Sequence, residues 1–246
     1  MNVAEKYTVT DNLLKLVENS PSLLTKKDKA DALDAFRKQG IPNRKSEEYK
    51  YCKVDLILKD EFSLQSDETV TKTELEKIVL LKETFTIVIV NGIFTAELSS
   101  LNNLTKGVTV CNIKDAFNTQ SEIVRKHFSK YAEINTDPFI ALNCAALQGG
   151  VFIQIDKNLI VDKPIQIVNI SSSNKNLITN SHNLIVVEKA AQAKIVEHFV
   201  SIDSSGKVFN NTLTEIVVRE NAIVDHYKIQ DENNFGNIVS TTKLQQ

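Results

Sequence analysis

The chain repeats one short piece of itself. Val186-Val187-Glu188-Lys189-Ala190-Ala191-Gln192-Ala193 aligns with Val217-Val218-Arg219-Glu220-Asn221-Ala222-Ile223-Val224: an apolar pair, a charged turn, a corner residue, then the next apolar strand. The offset is 217 − 186 = 31 residues. A fixed offset within β-branched sequence marks a solenoid, whose units cannot bury an apolar face alone and do so by stacking. A stack of this kind has a long flat surface, which suits scaffolding better than enclosing a substrate.

From Gly149 onward every element reads as strand. Residues 151–155 are mostly apolar, as in a strand covered on both faces. Residues 158–161 and 165–170 follow, with Pro164 where a missing backbone donor does no harm. Residues 171–183, rich in Ser and Asn, read as a longer turn or loop, after which strand resumes over 184–188. Ala190 and Asn221 fall at equivalent corners, and a left-handed turn there suits Asn better than Ala.

The first part has a different period. Asp11 or Thr10 can cap a short helix carrying Leu13, Leu14, Leu16 and Val17, ended by Pro21. Thr25-Lys26-Lys27-Asp28 opens a second helix with the spacing of a capping box, and Gly40 closes it. Residues 85–90 are a β-branched run, and Asn91-Gly92 before Ile93-Phe94-Thr95 is a strong hairpin signal because both turn residues tolerate positive φ. A strand over 107–110, helical period over 114–131 and a helix begun by Asp137-Pro138 complete this part. We therefore expect an α+β N-terminal region over 1–148, with a hairpin near 85–97. A right-handed parallel β-helix follows over 149–246, incomplete at its C-terminal end, with Ile185, Val187, Ile216 and Val218 in stacked apolar layers.

Composition narrows the function. The 42% hydrophobic content of 246 residues supports a real core. A net charge of −2 gives no global case for nucleic acid or an anionic membrane. The N-terminus has no apolar signal-like run and the chain no spanning stretch of about 18 apolar residues, so a cytoplasmic protein is expected. Cys52, Cys111 and Cys144 are far apart and in no metal-ligand spacing, and read as small buried residues of a reducing compartment.

Gly40-Ile41-Pro42-Asn43-Arg44-Lys45-Ser46-Glu47-Glu48-Tyr49-Lys50-Tyr51 resembles a segment of the SufB/SufD family of iron–sulfur cluster assembly proteins. Similar segments follow in order: Val90-Asn91-Gly92, Ala141-Leu142-Asn143, Gly150-Val151-Phe152-Ile153, Lys163-Pro164-Ile165, Asn183-Leu184-Ile185-Val186, Thr214-Glu215-Ile216-Val217 and Asp225-His226-Tyr227-Lys228. The N-terminal segment sits closer to SufD than to SufB. The resemblance implies a non-catalytic scaffold subunit of a SufBCD-like complex, with a SufB-like paralogue and a SufC-like ATPase as partners. The iron–sulfur cluster is then assembled by the wider complex, with no cofactor in this chain. Tyr49 stands where the family usually carries Trp. Family members are usually much longer, so the chain is expected to be a fragment. The family's ATPase contact and the Cys and His positions proposed for cluster nucleation would lie beyond Gln246. An interrupted stack is expected to protect its end by self-association, domain exchange or local disorder around residues 238–246.

No catalytic, cofactor-binding or metal-binding residue is assigned. Glu197-His198 and Asp225-His226 fall near matching positions, 226 − 198 = 28 residues apart. Neighbours on a strand point to opposite faces, so each adjacent pair is expected to act structurally. No phosphate-cradling glycine motif occurs, which leaves ATP and dinucleotide binding unsupported. Arg44, Lys45, Lys50 and Lys53 are interleaved with Glu47, Glu48 and Asp55, as in a solvated, salt-bridged turn. Two other classes fit a β-helix. A polysaccharide-active enzyme is disfavoured by the lack of Trp, and a self-assembling structural solenoid by the helical first part.

Overall fold

The computed structural model describes residues 8–43, 46–202 and 205–246. Arg44 and Lys45 of the basic turn lie outside these residues; its described part holds a Lys50–Glu47 ion pair at 2.8 Å.

Helices come first: α1 (Val9–Glu18), α2 (Lys26–Gln39), a 3-10 turn at Glu47–Tyr49, α3 (Val54–Ile57) and α4 (Lys72–Ile78). Thr8, rather than Thr10 or Asp11, caps α1. Its side chain accepts from Asp11 N while the Asp11 carboxylate accepts from Thr8 N, so the acid is the third residue of a capping box and not the cap. Thr25 caps α2, and Gly40 at φ 65° ends it. The mixed segment continues with β1 (Phe85–Val90), β2 (Ile93–Phe94), β3 (Val108–Asn112), α5 (Ile113–Thr119), α6 (Ser121–His127) and α7 (Pro138–Ala145). The single helical period over 114–131 is thus two short helices broken at Gln120, where polar Asn118, Thr119 and Ser121 favour caps over helix interior. Asp137 caps α7 through Phe139 N at 2.7 Å, and Tyr49 donates its hydroxyl to the same carboxylate at 2.7 Å. α7 is buried from Phe139 to Ala145 because α2 covers one side and a sheet the other.

The remaining strands are β4 (Val151–Ile155), β5 (Ile165–Ser171), β6 (Leu177–Val187), β7 (Gln192–Ser201), β8 (Val208–Val218), β9 (Ile223–Asp231) and β10 (Gly236–Gln245). They form two open mixed sheets, ordered β2-β1-β5-β7-β9 and β10-β8-β6-β4-β3. Consecutive strands from β4 to β10 alternate between the sheets, and every pairing among them is parallel. Antiparallel pairing occurs at the β1–β2 hairpin and between β3 and β4. β1 runs parallel beside β5, so strands from before Gly149 complete both sheets.

The sequence repeat is the register of these sheets. Val186 pairs with Val217, Ile185 with Ile216 and Val187 with Val218, while β7 meets β9 at the same offset, 223 − 192 = 31. Asn158, Ala190 and Asn221 occupy the corners at φ 62°, 56° and 58°. Gly150, at φ 141°, is required by crowding as well: a Cβ there would stand 2.1 Å from His182 O.

Residues 177–183 are strand, not the loop expected across 171–183. Thr179, Asn180 and Ser181 lie comfortably in a buried strand here because each meets a polar counterpart on the next strand of the sheet. Thr179 bonds Asn210 at 2.6 Å, Asn180 bonds Asn211 at 2.9 Å, and Ser181 lies 3.1 Å from Thr212, all 31 residues apart. Such ladders satisfy buried polar groups that would otherwise oppose folding.

Candidate functional site

Register sorts the side chains between the sheets into columns. One column reads Ile153, Ile185, Ile216, Leu244, apolar throughout. Another reads Ile87, Ile167, Glu197, Lys228 and passes from apolar to charged along the stack. A third holds Ser181, Thr212 and Ser240. The inward face of the first sheet therefore turns from apolar at β1 to charged at β9, while that of the second carries an apolar column and a hydroxyl column side by side.

Glu197 is the centre of the polar part and is fully buried. Its Oε1 lies 2.8 Å from His226 Nε2, and its Oε2 accepts from Thr214 Oγ1 at 3.2 Å. Asn183 Nδ2 donates to Thr214 Oγ1 at 3.4 Å, and Asn183 Oδ1 accepts from Val151 N at 3.0 Å. Lys228, in register with Glu197, donates to Ser240 Oγ at 2.6 Å. Burial pushes the Lys228 ammonium below the usual lysine range, opposed by the Glu197 charge. Beyond it, Asn210 Nδ2 donates to Ser171 Oγ at 2.7 Å and to Glu232 Oε1 at 2.6 Å. Burial pushes the Glu232 carboxyl up, against its hydrogen bonds with Ser171 and Asn210.

The two adjacent acid–histidine pairs of the sequence do not form. Glu197 points between the sheets and His198 to the outer face, where both ring nitrogens are without hydrogen-bond partners among the described residues. Burial lowers the His198 pKa, with Asp231 opposing. Asp225 is exposed, while His226 turns inward to Glu197. The acid of the first pair thus meets the imidazole of the second across β7 and β9.

A second polar centre, on the outer face of β6 and β8, has no sequence signature. The buried Glu215 carboxylate accepts from the backbone N–H groups of Ser129 at 2.5 Å, Tyr131 at 2.7 Å and Ala132 at 3.2 Å, with His182 Nε2 at 3.0 Å. Burial opposes its ionisation, but the His182 hydrogen bond and charge and the amides of Tyr131 and Ser129 outweigh that and hold the carboxyl below the usual range. The His182 ring packs on Phe128 at 4.1 Å between centroids. Ser129, at φ 57°, is fixed by this contact, so Glu215 latches the loop after α6 onto the sheet.

Carboxylate–imidazole pairs are acid–base couples in principle, yet Glu197 is sealed between sheets and both its oxygens are engaged. Among the described residues, no three His, Cys, Asp or Glu side chains converge as a metal would require. Cys144 is buried, and burial pushes its thiol up to about 11. Cys111 is half-buried. Cys52 is exposed, contrary to the expectation of three buried thiols, because it follows a surface turn whose Tyr51 also faces solvent. Among the described residues no helix is long and apolar enough to cross a membrane.

Two sequence-family profiles match the chain end to end: the SufBD protein N-terminal region over residues 2–167, and the SufBD core domain of SUF system FeS cluster assembly over 169–246. The iron-sulfur cluster assembly protein SufD of Bacillus subtilis is 31% identical over 122 residues, 49% of this chain and 28% of that protein. A SufBD family protein of Synechocystis sp. is 24% identical over 226 residues, 88% of this chain and 49% of the relative. One from Staphylococcus saprophyticus is 28% identical over 140 residues, 56% of this chain and 30% of the relative. The chain spans about half the length, or less, of these relatives.

Proposed function

This chain belongs to the SufB/SufD family of iron–sulfur cluster assembly proteins, close to SufD, and from that premise we propose that it serves cluster assembly as a non-catalytic scaffold. The observation that carries the reading is the match of both family profiles to consecutive parts of the chain, residues 2–167 and 169–246, whose strands join in the same two sheets. In this reading the two sheets are faces of a right-handed parallel β-helix, and their outer surface is presented to a SufB-like paralogue and a SufC-like ATPase in the cytoplasm. The cluster is cargo of the assembly. The chain's polar side chains support the scaffold rather than chemistry, since the carboxylates of Glu197 and Glu215 spend their lone pairs on structural donors.

Depletion of the protein in its source cell tests this. Activity of a cluster-dependent dehydratase should fall relative to a cluster-free enzyme, and a Glu197→Gln, His226→Gln double variant should restore it. An unchanged ratio contradicts a role in cluster assembly, whereas restoration by the natural protein but not by the folded double variant contradicts the non-catalytic reading.

A further inference from the structure

Lysine is an unusual side chain to find between two packed sheets. Lys228 occupies the column that begins Ile87, Ile167, and its ammonium lies beside a cavity of about 400 Å³ lined by Phe199, Lys228, Gln230, Ile238 and Ser240. The carboxylate in register with it, Glu197, is already engaged at both oxygens by His226 and Thr214. Among the described residues the hydrogen bond made by Lys228 goes to Ser240, which leaves two of the three ammonium protons for another acceptor. The Ser240 hydroxyl accepts from Lys228 and keeps its own proton to donate, and the exposed Gln230 lines the solvent side of the same space, within reach of a guest for its amide N–H₂. Phe199 and Ile238 form apolar walls, which strengthen charge–charge attraction inside. A half-buried cation, a hydroxyl donor and an amide donor around one cavity match an acceptor-only, negatively charged guest.

We propose that this cavity between β7, β9 and β10 is a binding site for a small inorganic oxyanion of the phosphate or sulfate type, held by Lys228, Ser240 and Gln230. The site is separate from the scaffold reading and goes beyond it. The bound ion accepts from the remaining ammonium protons of Lys228 and stiffens the pairing around β9 and β10.

Thermal-shift titration of the 246-residue protein, with inorganic phosphate and then sulfate replacing chloride at constant ionic strength, tests it. The natural protein should show a saturable rise in melting temperature, because a ligand that binds only the folded state stabilises it by mass action. Lys228→Met keeps the length of the stem and removes the charge. It should bind the oxyanion about tenfold or more weakly, with a circular dichroism spectrum that shows the fold is kept. Ser240→Ala, which keeps the ammonium, should weaken binding by a smaller factor. No saturable rise in the natural protein, or the same rise in Lys228→Met, would overturn the proposal.

Discussion

Replacing Glu215 by Ala should be the most damaging single substitution of a polar side chain in this molecule. The carboxylate is fully buried and holds three backbone N–H groups and one imidazole between 2.5 and 3.2 Å. Its removal leaves those donors buried without an acceptor, and breaking a buried pair by deleting one partner costs about 3–5 kcal/mol. For a chain of this size about 1 kcal/mol lowers the melting temperature by about 2–4 °C, so Glu215→Ala should melt about 6–20 °C lower at neutral pH. Glu215→Gln keeps the shape but turns an N–H₂ toward N–H groups, and should lose somewhat less, about 2–4 kcal/mol. The folded-state pKa of Glu215 is depressed below its ordinary value of 4.5. Its contribution is therefore fully present above that value and is lost as pH falls through the lower folded pKa. The gap in stability between the natural protein and Glu215→Gln should accordingly be constant above about pH 5 and narrow progressively below pH 4.5. Urea titrations at a series of pH values read both effects. A Glu215→Ala protein within about 1 kcal/mol of the natural one at pH 7, or a gap that widens on acidification, would refute the latch.

Other substitutions test single contacts and turns. Ala190 holds a corner at φ 56° where its counterparts are Asn, so Ala190→Asn should stabilise by about 1 kcal/mol, read as a shift in the urea midpoint. Gly150→Ala should fail to give folded protein by circular dichroism, since its Cβ would meet His182 O at 2.1 Å. Asn211 Nδ2 bonds both Phe139 O and Asn180 Oδ1 at 2.9 Å, and Asn211→Leu should cost about 2–3 kcal/mol by chemical denaturation. Cys52 should react with a maleimide in the native state, while Cys144, buried with its thiol pushed up to about 11, should react only after unfolding.

What the sequence made legible is what repeats locally. The 31-residue offset is the register of β6 on β8, and the Asn91-Gly92 hairpin, the Thr25 and Asp137 caps and the Gly40 stop stand where local chemistry puts them. Residues 177–183 were illegible because Thr, Asn and Ser signal turns when read alone. Their partners in the ladder lie 31 residues away and turn the same residues into buried strand. Glu197 and His198 drew attention as neighbours, yet strand alternation separates them, and the imidazole that reaches Glu197 is 29 positions on. Glu215 gave no signal, because its partners include backbone amides 83 to 86 residues away and a backbone N–H leaves no trace in residue identity.

The central claim, that this chain is a structural component of an iron–sulfur assembly complex, meets its most direct test in native mass spectrometry. The chain carries an affinity tag and is co-expressed with the SufB-like and SufC-like proteins of its source cell. A mass equal to the sum of this chain with the paralogue and the ATPase is the predicted result. Recovery of the tagged chain only by itself or with further copies of itself, while the paralogue and the ATPase assemble without it, would contradict the claim.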